Sequence, residues 1–125
     1  MKLSGDRKRI LVADDSEETR EILSLALERA GYLVTAVSSG KDLLDNWNGE
    51  IDLVIADIVM PEMGGIEAVE TARSEGKAAL PVIFISAKDR LETYLKYSFK
   101  DTVRFLSKPF RAETLLDLIK ELLGA

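Results

Sequence analysis

Short apolar runs alternate along the chain with longer stretches in which apolar residues recur every three or four positions. Arg9-Ile10-Leu11-Val12-Ala13, Tyr32 to Val37, Ile51 to Asp57, Pro81 to Ile85 and Val103 to Leu106 are strand-sized. They are too short to cross a membrane and read as strands buried on both faces. Between the first two, Ile22, Leu23, Ala26, Leu27 and Ala30 stand at helical spacing and Gly31 ends the helix. Ser16 is the expected N-cap, with Glu17 and Glu18 in the first turn where the macrodipole favours anions. The pattern predicts shorter helices over Gly40 to Trp47 and Ile66 to Ser74, and one over Arg90 to Phe99 carrying Leu91, Tyr94 and Leu95. Leu115, Leu118, Ile119 and Leu122 line the last helix. Trp47 reads as a packing residue of the second helix, and Asn48-Gly49 and Pro61 with Gly64-Gly65 mark turns. Residues 1–8 are polar and are expected to be a flexible lead-in to a single domain over 1–125.

Strand and helix alternate five times, which predicts an α/β fold with a parallel sheet and helices on both faces. Right-handed crossovers leave few arrangements. A flavodoxin-like, doubly wound (βα)5 sheet of order 2-1-3-4-5 suits five units best. In that order the first and third strands are neighbours, so Asp14 and Asp15 meet Asp57 at one edge of the sheet. Ser86 ends the fourth strand and Lys108 the fifth, on the same rim.

Composition narrows the chemistry. The 125 residues carry a net charge of -5, with 46% hydrophobic and 31% charged residues, which fits one ordinary globular domain. No long basic run marks a nucleic-acid footprint, and no spanning segment or signal peptide stands out, so the expectation is a cytoplasmic protein without direct nucleic-acid or membrane binding. Cys is absent, which removes disulfides, thiolate nucleophiles and Cys–metal sites. His is also absent, and with it the usual general base and transition-metal ligand. Chemistry is left to carboxylates, hydroxyls, Lys and backbone, a donor set that suits hard cations.

Each of Asp14, Asp15, Asp57, Ser86 and Lys108 alone reads as a cap, a strand end or a solvated charge. Together they do not. Carboxylates about 4 Å apart repel by about 4 kcal/mol per pair at an effective dielectric near 20. Such a cluster is held by a cation or kept for function. The expected ion is Mg²⁺, which keeps several waters and accepts a phosphate oxygen, with Mn²⁺ the alternative. A carboxylate can attack phosphorus to give an acyl phosphate, Lys108 would act as a point charge on phosphoryl oxygen, and the Ser86 hydroxyl would donate to another. Lacking His, the chain cannot be its own histidine phosphodonor, so the group must arrive from another molecule.

Four stretches carry a resemblance: Leu11-Val12-Ala13-Asp14-Asp15, Asp57 to Gly65, Ile85-Ser86-Ala87 and Phe105-Leu106-Ser107-Lys108-Pro109-Phe110. In order and spacing they resemble the response-regulator receiver domains of two-component (phosphorelay) signalling, over essentially the whole chain. The resemblance implies a phosphoacceptor switch, not a conventional enzyme. Asp57 would be phosphorylated by a histidine kinase or phosphotransfer protein. Asp14 and Asp15 would bind Mg²⁺, helped by Asp57 and the backbone carbonyl of Val59. Ser86 and Phe105 would be the switch residues, and the Lys108-Pro109 bond is expected to be cis. Output is expected on the face formed by the helix over Arg90 to Phe99, the fifth strand and the last helix, where Tyr97 is the residue expected to be exposed. The partner there would be a downstream protein or an attached output domain, with the chain a monomer or a phosphorylation-dependent dimer.

Two departures stand out. The Gly-Ala pair frequent before the fifth strand is replaced by Asp101-Thr102, and the aromatic switch is Phe105 instead of Tyr, so it must act by packing. The competing reading is a phosphorylation-independent pseudo-receiver that binds a partner constitutively, but no acidic or Lys position is lost. An Asp-nucleophile phosphohydrolase would need a second Asp two residues after the nucleophile, where Val59 stands.

Overall fold

The computed structural model describes residues 7–87 and 102–124. Its elements are β1 (Arg9–Ala13), α1 (Glu17–Arg29), β2 (Leu33–Val37), α2 (Gly40–Asp45), β3 (Leu53–Asp57), α3 (Gly65–Ser74), β4 (Val82–Ala87), β5 (Val103–Lys108) and α4 (Ala112–Leu123). The helix expected over Arg90 to Phe99, with Tyr97, lies outside the described residues. The five strands form one parallel sheet in the order β2-β1-β3-β4-β5, as the alternation of elements predicts.

Successive side chains of a strand point to opposite faces, and both faces of this sheet are covered. Ile10, Val12, Leu53, Ile55, Ile83 and Ile85 meet Leu23 and Leu27 of α1 and Leu115 and Ile119 of α4. Leu11, Val54, Ala56, Val82 and Phe84 face the other way, against Leu43 of α2, Trp47, and Ala68, Val69 and Ala72 of α3. The strand runs are near-continuously apolar because the cores of β1, β3 and β4 are buried on both faces. Full burial of one such Leu, Ile or Val stabilises the fold by about 1.5–3 kcal/mol.

Local chemistry sets the boundaries. Ser16 caps α1, its hydroxyl accepting from the Thr19 N–H at 3.2 Å. Gly31 follows the helix at φ 98°, a conformation that glycine adopts at little cost. α2 ends at Asp45, two residues short of the expected Trp47. Trp47 is buried and its indole N–H donates to the Ala78 carbonyl at 2.7 Å, tying the end of α2 to the α3–β4 connection. β4 and β5 each run further than their apolar cores, through Ala87 and Lys108, because the ladder pairs Ser86 with Ser107 and Ala87 with Lys108.

Candidate functional site

The ladder determines where the polar strand ends fall. Ala13 pairs with Ala56, so Asp14 and Asp57 are the next residues out on neighbouring strands. Asp57 pairs with Ile85, so Ser86 stands one position beyond it on the other side. Topology thus brings together residues 43 positions apart in the chain. Asp14, Asp57 and Ser86 are all buried, with relative exposures of 0%, 6% and 2%, while Asp15 is exposed.

One carboxylate oxygen from each of Asp14, Asp15 and Asp57 lies within 4.8 Å of the others. Lys108, at the end of β5, closes the cluster. Its ammonium is 2.7 Å from Asp57 Oδ2 and 2.9 Å from Asp14 Oδ2. The remaining oxygens of these two acids accept backbone hydrogen bonds: Asp14 Oδ1 from the Ser16 N–H and Asp57 Oδ1 from the Val59 N–H, both at 2.9 Å. Both buried carboxylates are therefore satisfied, as buried charge requires.

The electrostatics follow from this arrangement. Burial pushes the Asp57 carboxyl above the ordinary carboxylate value; hydrogen bonds from Lys108 and Val59 and the Lys108 charge oppose the rise, and the Asp14 carboxylate adds to it. Burial also works against the charged form of Lys108, but its hydrogen bonds to Asp57 and Asp14 and their charges outweigh that, and its pKa is raised. Lys108 is thus a cation held against an acid cluster whose negative charge exceeds its own.

The surroundings shape the pocket. Val59, two residues past Asp57, is 40% exposed. The chain then turns through Pro61-Glu62-Met63, where Glu62 takes φ 67° and the Met63 N–H donates to the Pro61 carbonyl at 2.7 Å. A Cβ on Gly65 would overlap the Asp57 carbonyl oxygen, so only glycine lets α3 start this close to β3. The Lys108–Pro109 peptide bond is cis. On β5 the half-buried Phe105 ring lies 5.5 Å from that of Phe84, the planes 31° apart. Sequence reasoning gives no role to Arg20, whose guanidinium donates to the Asp14 carbonyl at 2.8 Å. On α1 it looks like any solvated charge, and its target is a backbone atom that leaves no trace in the sequence.

Residues 10–120 match the family model of the response regulator receiver domain. The chain belongs to the response regulator receiver domain family. This receiver domain is 36% identical over 119 residues to the response regulator receiver protein CpdR of Brucella abortus, covering 94% of this chain and 98% of that protein. It is 35% identical over 107 residues to YrkP of Bacillus subtilis, an uncharacterized transcriptional regulatory protein, over 86% of this chain but only 46% of that protein. The chain thus spans less than half the length of this longer relative. Among solved structures, the response regulator TrrA of Thermotoga maritima in complex with Mg²⁺-BeF is similar with a TM-score of 0.80 and 32% identity, over 93% of this chain and 99% of that one. A receiver domain is a signalling domain, and its acid cluster is one that can hold a metal ion. Among the described residues, no helix is long and apolar enough to cross a membrane.

Proposed function

We propose that this receiver domain takes a phosphoryl group on Asp57 from a histidine kinase or phosphotransfer protein, in a reaction that requires a divalent cation. The observation that carries this reading is the pairing of buried Asp57 with Lys108 at 2.7 Å inside a cluster of three carboxylates. A carboxylate oxygen of Asp57 attacks phosphorus as the P–N bond of the donor phosphohistidine breaks. The electron pair returns to the imidazole nitrogen, which is protonated from solvent, and Asp57 is left as an acyl phosphate. Val59 and Lys108 hold the carboxylate in one orientation before attack. Lys108 then neutralises charge on the transferred group, and the Ser86 hydroxyl, buried one position beyond the register partner of Asp57, turns to donate to it.

Asp14, Asp15 and Asp57 would hold the cation, with the Val59 backbone carbonyl as a further ligand. Three hard oxygen donors, one of them exposed, fit Mg²⁺, which keeps several of its waters. Mg²⁺ when bound neutralises phosphoryl oxygens and orients them for displacement. The relative TrrA, solved with Mg²⁺-BeF, supports the same assignment here.

The relay runs outward through β4 and β5. A hydroxyl drawn from Ser86 towards the phosphoryl group leaves space beside β5, and the Phe105 ring, packed on Phe84, turns into it. The partner, either a downstream protein or an attached output domain, reads the face that includes β5 and α4. Intact mass after incubation with acetyl phosphate tests the phosphoacceptor: a gain of one phosphoryl group is expected with Mg²⁺, and none with a chelator or in Asp57→Asn. Modification of Asp57→Asn, or none in the parent chain with Mg²⁺, overturns the reading.

A further inference from the structure

The exposed carboxylate of the cluster, Asp15, sits between two residues whose backbones are tied down, and Arg20 makes one bond on each side. Its guanidinium Nη1 donates to the Asp14 carbonyl at 2.8 Å. Its own backbone N–H donates to the Ser16 carbonyl at 3.0 Å, as the first turn of α1. Three further bonds hold the turn, from the Ser16 N–H to Asp14 Oδ1, from the Thr19 N–H to Ser16 Oγ, and from the Asp14 N–H to the Val37 carbonyl at 3.1 Å. The Asp14 N–H still bonds β2, but its carbonyl lies beyond the last pair of both ladders of β1, and Asp14 itself has no solvent exposure. The strand no longer satisfies that oxygen at the point where the chain must leave the sheet. A buried carbonyl needs a partner, and the guanidinium supplies it. Arginine's several donors on a rigid fork at the end of a long stem suit it for spanning from a helix to a strand end.

We propose that Arg20 is a positioning residue for the cation site, resting on the function proposed above. By anchoring the Asp14 carbonyl from α1 it presets the turn over residues 14–16, so that the Asp15 carboxylate meets those of Asp14 and Asp57 before any ion arrives. Lys108 bonds the carboxylates of Asp14 and Asp57 and offsets part of their repulsion, while the turn places the exposed Asp15 carboxylate beside them. The fixed turn removes the ordering that ion binding would otherwise require. Arg20 touches no reacting atom; it acts through the backbone of Asp14.

The test titrates the full chain with MgCl2 alone, followed by amide shifts at the ends of β1 and β3, in parent, Arg20→Met and Arg20→Lys. Outer partners of metal ligands are worth about 10–100-fold in affinity, and Arg20→Met is expected at about the lower end of that range. Arg20→Lys, which keeps a donor, should recover most of the loss. Phosphorylation by acetyl phosphate should fall in Arg20→Met at low Mg²⁺ and return to the parent rate at saturating Mg²⁺, a restoration that a general structural defect would not permit. Mg²⁺ affinity in Arg20→Met equal to that of the parent overturns the inference and leaves the proposed function standing. A parent chain that binds no Mg²⁺ overturns both. A rate that saturating Mg²⁺ does not restore overturns the inference. Should Arg20→Met not fold, Arg20→Leu, which likewise carries no donor, is read the same way; failure of both to fold makes Arg20 structural and also overturns it.

Discussion

The ammonium of Lys108 lies 2.7 Å from Oδ2 of Asp57, across the two strand ends that flank the fourth strand. Lys108 therefore occupies the place of a counter-cation at the cluster. Two charges about 4 Å apart interact by ~1 kcal/mol even in bulk water, and by more in a buried site. Lys108→Met should accordingly tighten Mg²⁺ binding by about fivefold or more, since ~1 kcal/mol is a factor of about five. The same variant should lose signalling while still taking up some phosphoryl group, because the point charge that draws β5 towards Asp57 is gone. Mg²⁺ titration and intact mass check the two halves.

Asp57 titrates above its unfolded value, so the folded chain holds that proton more tightly than the unfolded one. Between the two pKa values stability falls as pH rises, and above the folded pKa the penalty for the buried carboxylate is fully present. Asp57→Asn removes it. Its midpoint of thermal unfolding should exceed that of the parent at neutral pH, and the gain should shrink as pH falls through the folded pKa. Thermal melts across the acid range check this; a gain that grows on acidification defeats it.

Phe105 packs on Phe84 but is only half-buried. Fully buried Phe→Ala changes cost about 3–5 kcal/mol, so Phe105→Ala should cost roughly half of that. Phosphorylation at Asp57 should persist. Amide shifts induced by beryllofluoride, standing in for the phosphoryl group, should remain around Asp57 and shrink along β5. Equal shifts along β5 in both proteins would remove Phe105 from the relay.

Gly65 leaves no room for a side chain against the Asp57 carbonyl. Gly65→Ala should force β3 and α3 apart and cost about 1–3 kcal/mol, the usual range for overpacking. Because the displaced atom belongs to Asp57, phosphorylation should slow as well. Denaturant unfolding and the rate with acetyl phosphate report the two effects.

Much of this site could be read from the chain because it is made of strand ends. Uninterrupted apolar runs define β1, β3 and β4, and the alternation with helices orders the sheet, so adjacency of Asp14 and Asp57 follows. What could not be read is local and polar. Arg20 bonds to a carbonyl, and nothing in residue spacing singles out a backbone target. Glu62 adopts a positive φ in a tight turn that a glycine would ordinarily announce. Apolar periodicity ends β5 at Leu106, whereas the ladder carries it to Lys108, because main-chain pairing is indifferent to the polarity of the side chains.

The pairing of Lys108 with Asp14 joins residues 94 positions apart, the first strand to the last. A chain leaving the ribosome has its acids long before it has their lysine. Until β5 docks, the three carboxylates stand without Lys108, and the Phe105 ring is not packed on Phe84. Domains form during synthesis from the N-terminal side at about 5–20 residues per second, so the acids precede Lys108 by several seconds. On the function proposed above, competence to carry a signal arrives with the last strand, and a chain without it lacks a complete phosphoacceptor site.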